Sequence, residues 1–231
     1  MQQHPIVSRE EWLTARKALL VRERAMTHEL DALRAERRQL PWVKIEKPYV
    51  FEGPDGECAL GDLFDGRSQL AIYHFMLTPD SNHLCPGCSY TMDHVDAARQ
   101  HFEHADLAFA AVSRAPVERI GEVMQRMGWT FPWVSSDDSD FNYDFGVSFT
   151  PEDRAAGRAI YNYGTVIERS PDMFGLSVFV KDDKGEIFHS YSTYHRGTEL
   201  LMGAMNWLDL APKGRNEAGG AMSWLRLHDE Y

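Results

Sequence analysis

At 231 residues the chain is long enough for a full hydrophobic core, and its 43% apolar content marks a globular rather than a disordered protein. A net charge of −11 argues against nucleic acid or an anionic membrane as the main partner. The three cysteines, Cys58, Cys85 and Cys88, do not make a secreted disulfide framework, no signal peptide opens at Met1-Gln2-Gln3-His4-Pro5, and no apolar run reaches the about 18 residues of a membrane span, so a cytoplasmic location is expected.

Residues 1–42 form a charged helical arm in which Trp12, Leu13, Leu19, Leu20, Leu30 and Leu33 recur at helical spacing. Ser8 with Glu11 fits a capping box, and Pro41 lies just past the end. Such an arm either packs one stripe on its own domain or serves a partner, a homodimer through this helix being one such use. From Val43 to Leu60 the period shifts towards two around Gly53-Pro54-Asp55-Gly56, which predicts a hairpin, and Gly61–Gly66 is a short helical turn.

Gln69–Leu77 is a continuous apolar run that suits a central strand covered on both faces. After Cys85-Pro86-Gly87-Cys88, Met92, Val95, Ala98 and Phe102 mark a helix ending near His104. Leu107–Val112 is a second buried strand, parallel to the first. Pro116 opens the next helix, Gly128 stops it, and Phe131–Val134 is a short strand. Ser135–Thr150 reads as a loop rich in Asp and aromatics, and Pro151–Ser170 as an insertion or long loop. Gly175–Tyr194 makes an antiparallel hairpin, Thr198 to about Leu210 a closing helix, and residues 212–231 a polar tail. Parallel elements joined by helices and followed by an antiparallel pair predict, over 43–211, an α/β three-layer fold with a mixed central sheet, which is the order of a thioredoxin-like domain.

The strongest chemical signature is the Cys-Pro-Gly-Cys corner at a strand-to-helix junction. A thiol at a helix start gains thiolate character from the free N–H groups and helix dipole, so Cys85 is the expected nucleophile and Cys88 the resolving thiol. Pro86 stiffens the turn and Gly87 lets a substrate backbone approach closely. The reaction this predicts is thiol–disulfide exchange with a small-molecule or protein disulfide, needing no cofactor. The same atoms allow a second reading: Cys85 and Cys88 with His83, and with His94 or His74 as fourth ligand, suit copper or zinc. A third reading is a corner kept by the fold without catalysis.

Four other residues belong near this reading. His74 is polar inside an apolar strand; it either tunes Cys85 as a proton shuttle or is a buried, satisfied histidine. Arg114 follows the second strand, where ligand contacts gather, and binds a carboxylate, supports a thiolate or makes a surface ion pair. Phe141 and Tyr143 either wall a substrate pocket or fasten their loop to the core. Cys58, in the first hairpin, is expected to be a small buried hydrophobe.

Several long segments resemble one bacterial family. They are Leu40-Pro41-Trp42-Val43, Tyr73-His74-Phe75-Met76, Cys85–Ser89, Ser113–Pro116, Gly128–Ser136, Asp140–Val147, Tyr191–Tyr194 with Arg196-Gly197, and His228–Tyr231. The match is to the thioredoxin-like group known as domain of unknown function family 899, and it extends over nearly the whole chain. The resemblance implies the thioredoxin-like fold and names no substrate. Compared with thioredoxins, Pro86-Gly87 stands in place of Gly-Pro, Leu84 in place of Trp, and Phe174-Gly175-Leu176 separates Pro171 from the strand that faces the cysteines. The peroxiredoxin pattern Pro-x-x-x-Thr-x-x-Cys is missing, since Thr78 precedes Pro79 and both lie too far from Cys85.

Overall fold

The computed structural model describes residues 4–231. The chain divides into an N-terminal unit ending at Pro41 and a main unit, Trp42–Tyr231. The first is one helix, α1 (Arg9–Arg37). The Ser8 hydroxyl accepts from the Glu11 N–H at 3.3 Å and the Glu11 carboxylate accepts from the Ser8 N–H at 2.9 Å, the reciprocal pair that the Ser-x-x-Glu spacing predicts.

The main unit begins with β1 (Val43–Lys44), β2 (Val50–Gly53), β3 (Gly56–Ala59) and β4 (Gln69–His74), then α2 (Pro86–His104), β5 (Leu107–Ser113), α3 (Val117–Met127) and β6 (Trp133–Ser135). There follow α4 (Phe141–Asp144), α5 (Pro151–Ala155), β7 (Ile160–Tyr161), β8 (Val166–Ile167), β9 (Gly175–Lys181), β10 (Ile187–Tyr194) and α6 (Gly203–Leu210). One sheet runs β1-β10-β9-β4-β5-β6-β2-β3, and β7 pairs with β8 separately. Strands β4, β5 and β6 are parallel, joined by α2 and α3, while β9 and β10 add an antiparallel pair beside β4. This is the mixed sheet of a thioredoxin-like α/β fold, with the β4–α2 junction at the cysteines.

The central strands explain themselves chemically. In β4 and β5 nearly every residue is buried, as expected for strands covered on both faces. Alternation then sorts the side chains. Ala71, Tyr73 and Phe75 enter the core under α2 and α3, while Leu70 and Ile72 enter the core that holds Tyr49, Phe51, Phe64 and Phe141. Helix α3 buries Ile120, Val123 and Met127 and stops at Gly128, whose φ of 67° needs no Cβ.

Three stretches differ from the sequence expectation. Residues 151–170 are not a plain loop: Thr150 caps α5, and Ile160–Ile167 closes a small hairpin whose Tyr161 is buried against Tyr194. The closing helix is broken, with a 3-10 segment His195–Leu201 ahead of α6 and Met202 at φ −100°, ψ 80° between them. The tail is not merely polar, because Leu225 and Leu227 are buried and Asp229 pairs with Arg126 at 2.8 Å. Alternation or helical period could not flag these pieces, since each is too short to repeat its pattern. No helix among the described residues is long and apolar enough to cross a membrane.

Candidate functional site

Cys85 is the N-cap of α2, in extended conformation, with Pro86 in the first turn where a missing N–H costs nothing. Its sulfur accepts from the Cys88 N–H at 3.4 Å. The capped carbonyl is also held, by the Ser89 hydroxyl at 2.9 Å and the Ser89 N–H at 3.0 Å. Cys85 is half-buried; Cys88, one turn on, is 1% exposed. Both are free thiols.

The two sulfurs are unequal. A hydrogen bond from the Cys88 thiol, helped by the Cys88 and Gly87 N–H groups, outweighs burial and brings Cys85 down to about 7. Burial, then the neighbouring Cys85, pushes Cys88 far above the ordinary thiol value. One proton and one charge are thus shared, the charge on the outer sulfur. Tyr73 lies beneath the pair, fully buried in the same cluster as Cys88, and its hydroxyl faces Cys88 and Thr91.

Met222, which packs beside Gly87, belongs to the lining of a cavity of about 320 Å³ that also includes Phe174, Met202, Met205 and the charged Glu199 and Arg215. A Cβ at Gly87 would lie 3.6 Å from Met222 Cε and 3.9 Å from Cys85 Sγ, so the sulfur and the cavity wall flank the same point.

His74 is not at this corner. It leaves β4 one residue after Tyr73 and therefore on the opposite face, stacked on Phe141 at 5.5 Å. With the Asn142 oxygen facing it at 3.3 Å, His74 Nδ1 donates and Nε2 accepts from Ser177 Oγ at 2.9 Å. Ser177 accepts from Ser192 at 2.8 Å, and Ser192 from His189 Nε2 at 2.7 Å. Burial, only partly offset by the Asn142 hydrogen bond, brings His74 down to about 4, so it is neutral at pH 7. Gly175, opposite His74 on β9, is a close approach: a Cβ there would meet Tyr194 Cδ1 at 2.5 Å.

Arg114 is held by carboxylate and phenol. It donates to Asp172 from Nε at 2.7 Å and Nη2 at 3.0 Å, and to the Tyr143 hydroxyl at 2.8 Å. Asp172, 3% exposed, also accepts from Ser148 at 2.6 Å and Thr78 at 2.7 Å. Tyr143 therefore buttresses Arg114, and Phe141, fully buried, belongs to the core rather than to a pocket wall. Cys58 is half-buried in β3 rather than fully enclosed, with burial raising its thiol.

The residues of the copper or zinc reading are not gathered. His94 Nε2 accepts from the Ala204 N–H at 2.9 Å and Nδ1 donates to the Tyr90 carbonyl at 2.6 Å, so both nitrogens tie α2 to α6. His83 is exposed. Among the described residues no three His, Cys, Asp or Glu side chains are placed to hold a metal ion. Sequence reasoning missed Tyr73, Asp172 and the serine chain. Tyr73 had a usable signal, since it alternates with His74 and only one of the two can face α2.

A family model described as bacterial protein of unknown function, DUF899, matches residues 1–231. The chain belongs to this family. No curated protein matches it. Solved structures similar to this DUF899 member include a PrxQ mutant from Xylella fastidiosa (17% identity, TM-score 0.46, 72% of this chain and 94% of that one). Peroxidoxin BcpB from Mycobacterium tuberculosis is similar at 13% identity and TM-score 0.45, over 73% of this chain and 97% of that one. The bacterioferritin comigratory protein of Xanthomonas campestris matches at 17% identity and TM-score 0.44, over 73% and 95%.

Proposed function

We propose that the protein is a thiol–disulfide oxidoreductase whose nucleophile is Cys85 and whose resolving thiol is Cys88. The supporting observation is the split between the sulfurs: the outer, half-buried one is drawn to about 7 at a helix start while the inner, buried one keeps its proton. The Cys85 thiolate attacks one sulfur of a disulfide R–S–S–R′, forming Cys85–S–S–R and releasing R′S⁻, which takes up a proton. Cys88 then attacks the Cys85 sulfur, closing an intramolecular disulfide and releasing RSH. Two electrons pass from the dithiol to the substrate, and an external thiol reductant restores the pair.

Alkylation with iodoacetamide across pH, mapped by mass spectrometry, tests this. Cys85 is expected to reach half its maximal rate near pH 7, and oxidation by a small disulfide should join Cys85 to Cys88 within one chain. A Cys85 that titrates like free cysteine, near about 8.5, or an oxidised protein with no internal disulfide, overturns the reading.

A further inference from the structure

The Tyr73 ring is accounted for by packing under α2, but its hydroxyl is not. That oxygen is buried and makes no hydrogen bond of ordinary geometry. Thr91, beside it, donates its own proton to the Gly87 carbonyl at 3.0 Å. A buried hydroxyl left unpaired costs stability that phenylalanine at the same position would not. What the hydroxyl does face is the Cys88 sulfur, which is protonated in the resting pair and would be a weak acceptor there.

We propose that Tyr73 is a catalytic residue of the second half-reaction, its O–H donating a hydrogen bond to the Cys88 sulfur as that sulfur becomes anionic and displaces the substrate from Cys85. The proposal rests on the dithiol reading of the corner. In the resting pair the charge sits on Cys85, and the Cys88 S–H donates to it. Once Cys85 is in a mixed disulfide it carries no charge, and Cys88 must ionise in a dry site with its former acceptor gone. The Cys88 S–H bond breaks and its electron pair forms the Cys88–Cys85 bond. The Cys85–SR bond breaks with its pair leaving as RS⁻, and the Cys88 proton ends on that thiolate as RSH. Oxidation state balances within the step, and no further oxidant enters. Burial holds the phenol well above its ordinary value, so Tyr73 donates a hydrogen bond without giving up its proton. Charge-assisted bonds of this kind are about twice as strong as neutral ones, which makes the hydroxyl worth most in the step where Cys88 carries charge.

Single-turnover reaction of the full chain with dithiobis(nitrobenzoate), in a Cys58→Ser background that leaves Cys85 and Cys88 as its two thiols, separates the steps, because attack by Cys85 releases the first coloured thiolate and attack by Cys88 the second. Tyr73→Phe, which removes one oxygen and no hydrocarbon, should leave the first phase unchanged and slow the second at least about tenfold. Fluorotyrosine at position 73 keeps the ring and strengthens the donor, and should move the second phase alone. A second phase unaffected by both substitutions, or two phases slowed together, overturns the role of Tyr73. A wild-type protein that never releases the second thiolate overturns the dithiol reading, and this inference with it.

Discussion

The two faces of β4 carry two polar groups one residue apart, and they have opposite fates. On one face His74 sits in a closed chain in which Asn142, Ser177, Ser192 and His189 satisfy one another. On the other, Tyr73 has an unpaired hydroxyl beneath two thiols that share a charge. A saturated buried network adds rigidity and specifies the core, whereas a buried group left unpaired costs stability and calls for a reason. On the reading proposed above, the difference places the chemistry on the Tyr73 face and leaves architecture to the His74 face.

The comparison can be broken from the His74 side first. Phe141→Ala, which empties the site stacked on His74, is expected to cost about 3–5 kcal/mol in urea unfolding while Cys85 alkylation keeps its rate. A changed rate would mean that the faces are coupled. Acid comes next. The folded His74 titrates at about 4, below its usual 6.5, so the unfolded chain binds that proton first. Stability is full above pH 6.5, falls at about 1.4 kcal/mol per pH unit as pH drops, and the loss is complete near pH 4, on the order of 3 kcal/mol in all. His74→Gln should flatten that limb of the stability curve. Ser177→Ala interrupts the chain and leaves His74 without its donor, for about 1–3 kcal/mol by the same denaturation. The smallest stability effect belongs to the corner itself. Cys85→Ser swaps one N-cap for a better one, so the unfolding free energy should stay within about 1 kcal/mol of wild type while thiol exchange is lost.

Much of this was legible in residue order. The capping box at Ser8 and Glu11, the stop at Gly128, the Asp182–Gly185 turn of the last hairpin and the buried runs of β4 and β5 are local signals, and each stands where its chemistry places it. The Cys-Pro-Gly-Cys corner was likewise visible as a junction. Contacts over long sequence separations were not. Arg114 and Asp172 are brought together only by the fold, and His94 becomes a brace because Ala204 arrives beside it. Residue order leaves Phe141 between a pocket wall and a core anchor, because a four-residue helix carries no periodicity to show which way it faces. The side of β4 that His74 occupies follows from counting residues from Tyr73, a placement that alternation could have supplied.

Leu227 is buried in the same cluster as Leu84, Cys88 and Tyr73. The core that encloses Cys88 is therefore completed from the far end of the sequence, and it cannot close fully until position 227 has left the ribosome. Until then the nascent chain carries the Cys-Pro-Gly-Cys sequence on a core still short of one of its members.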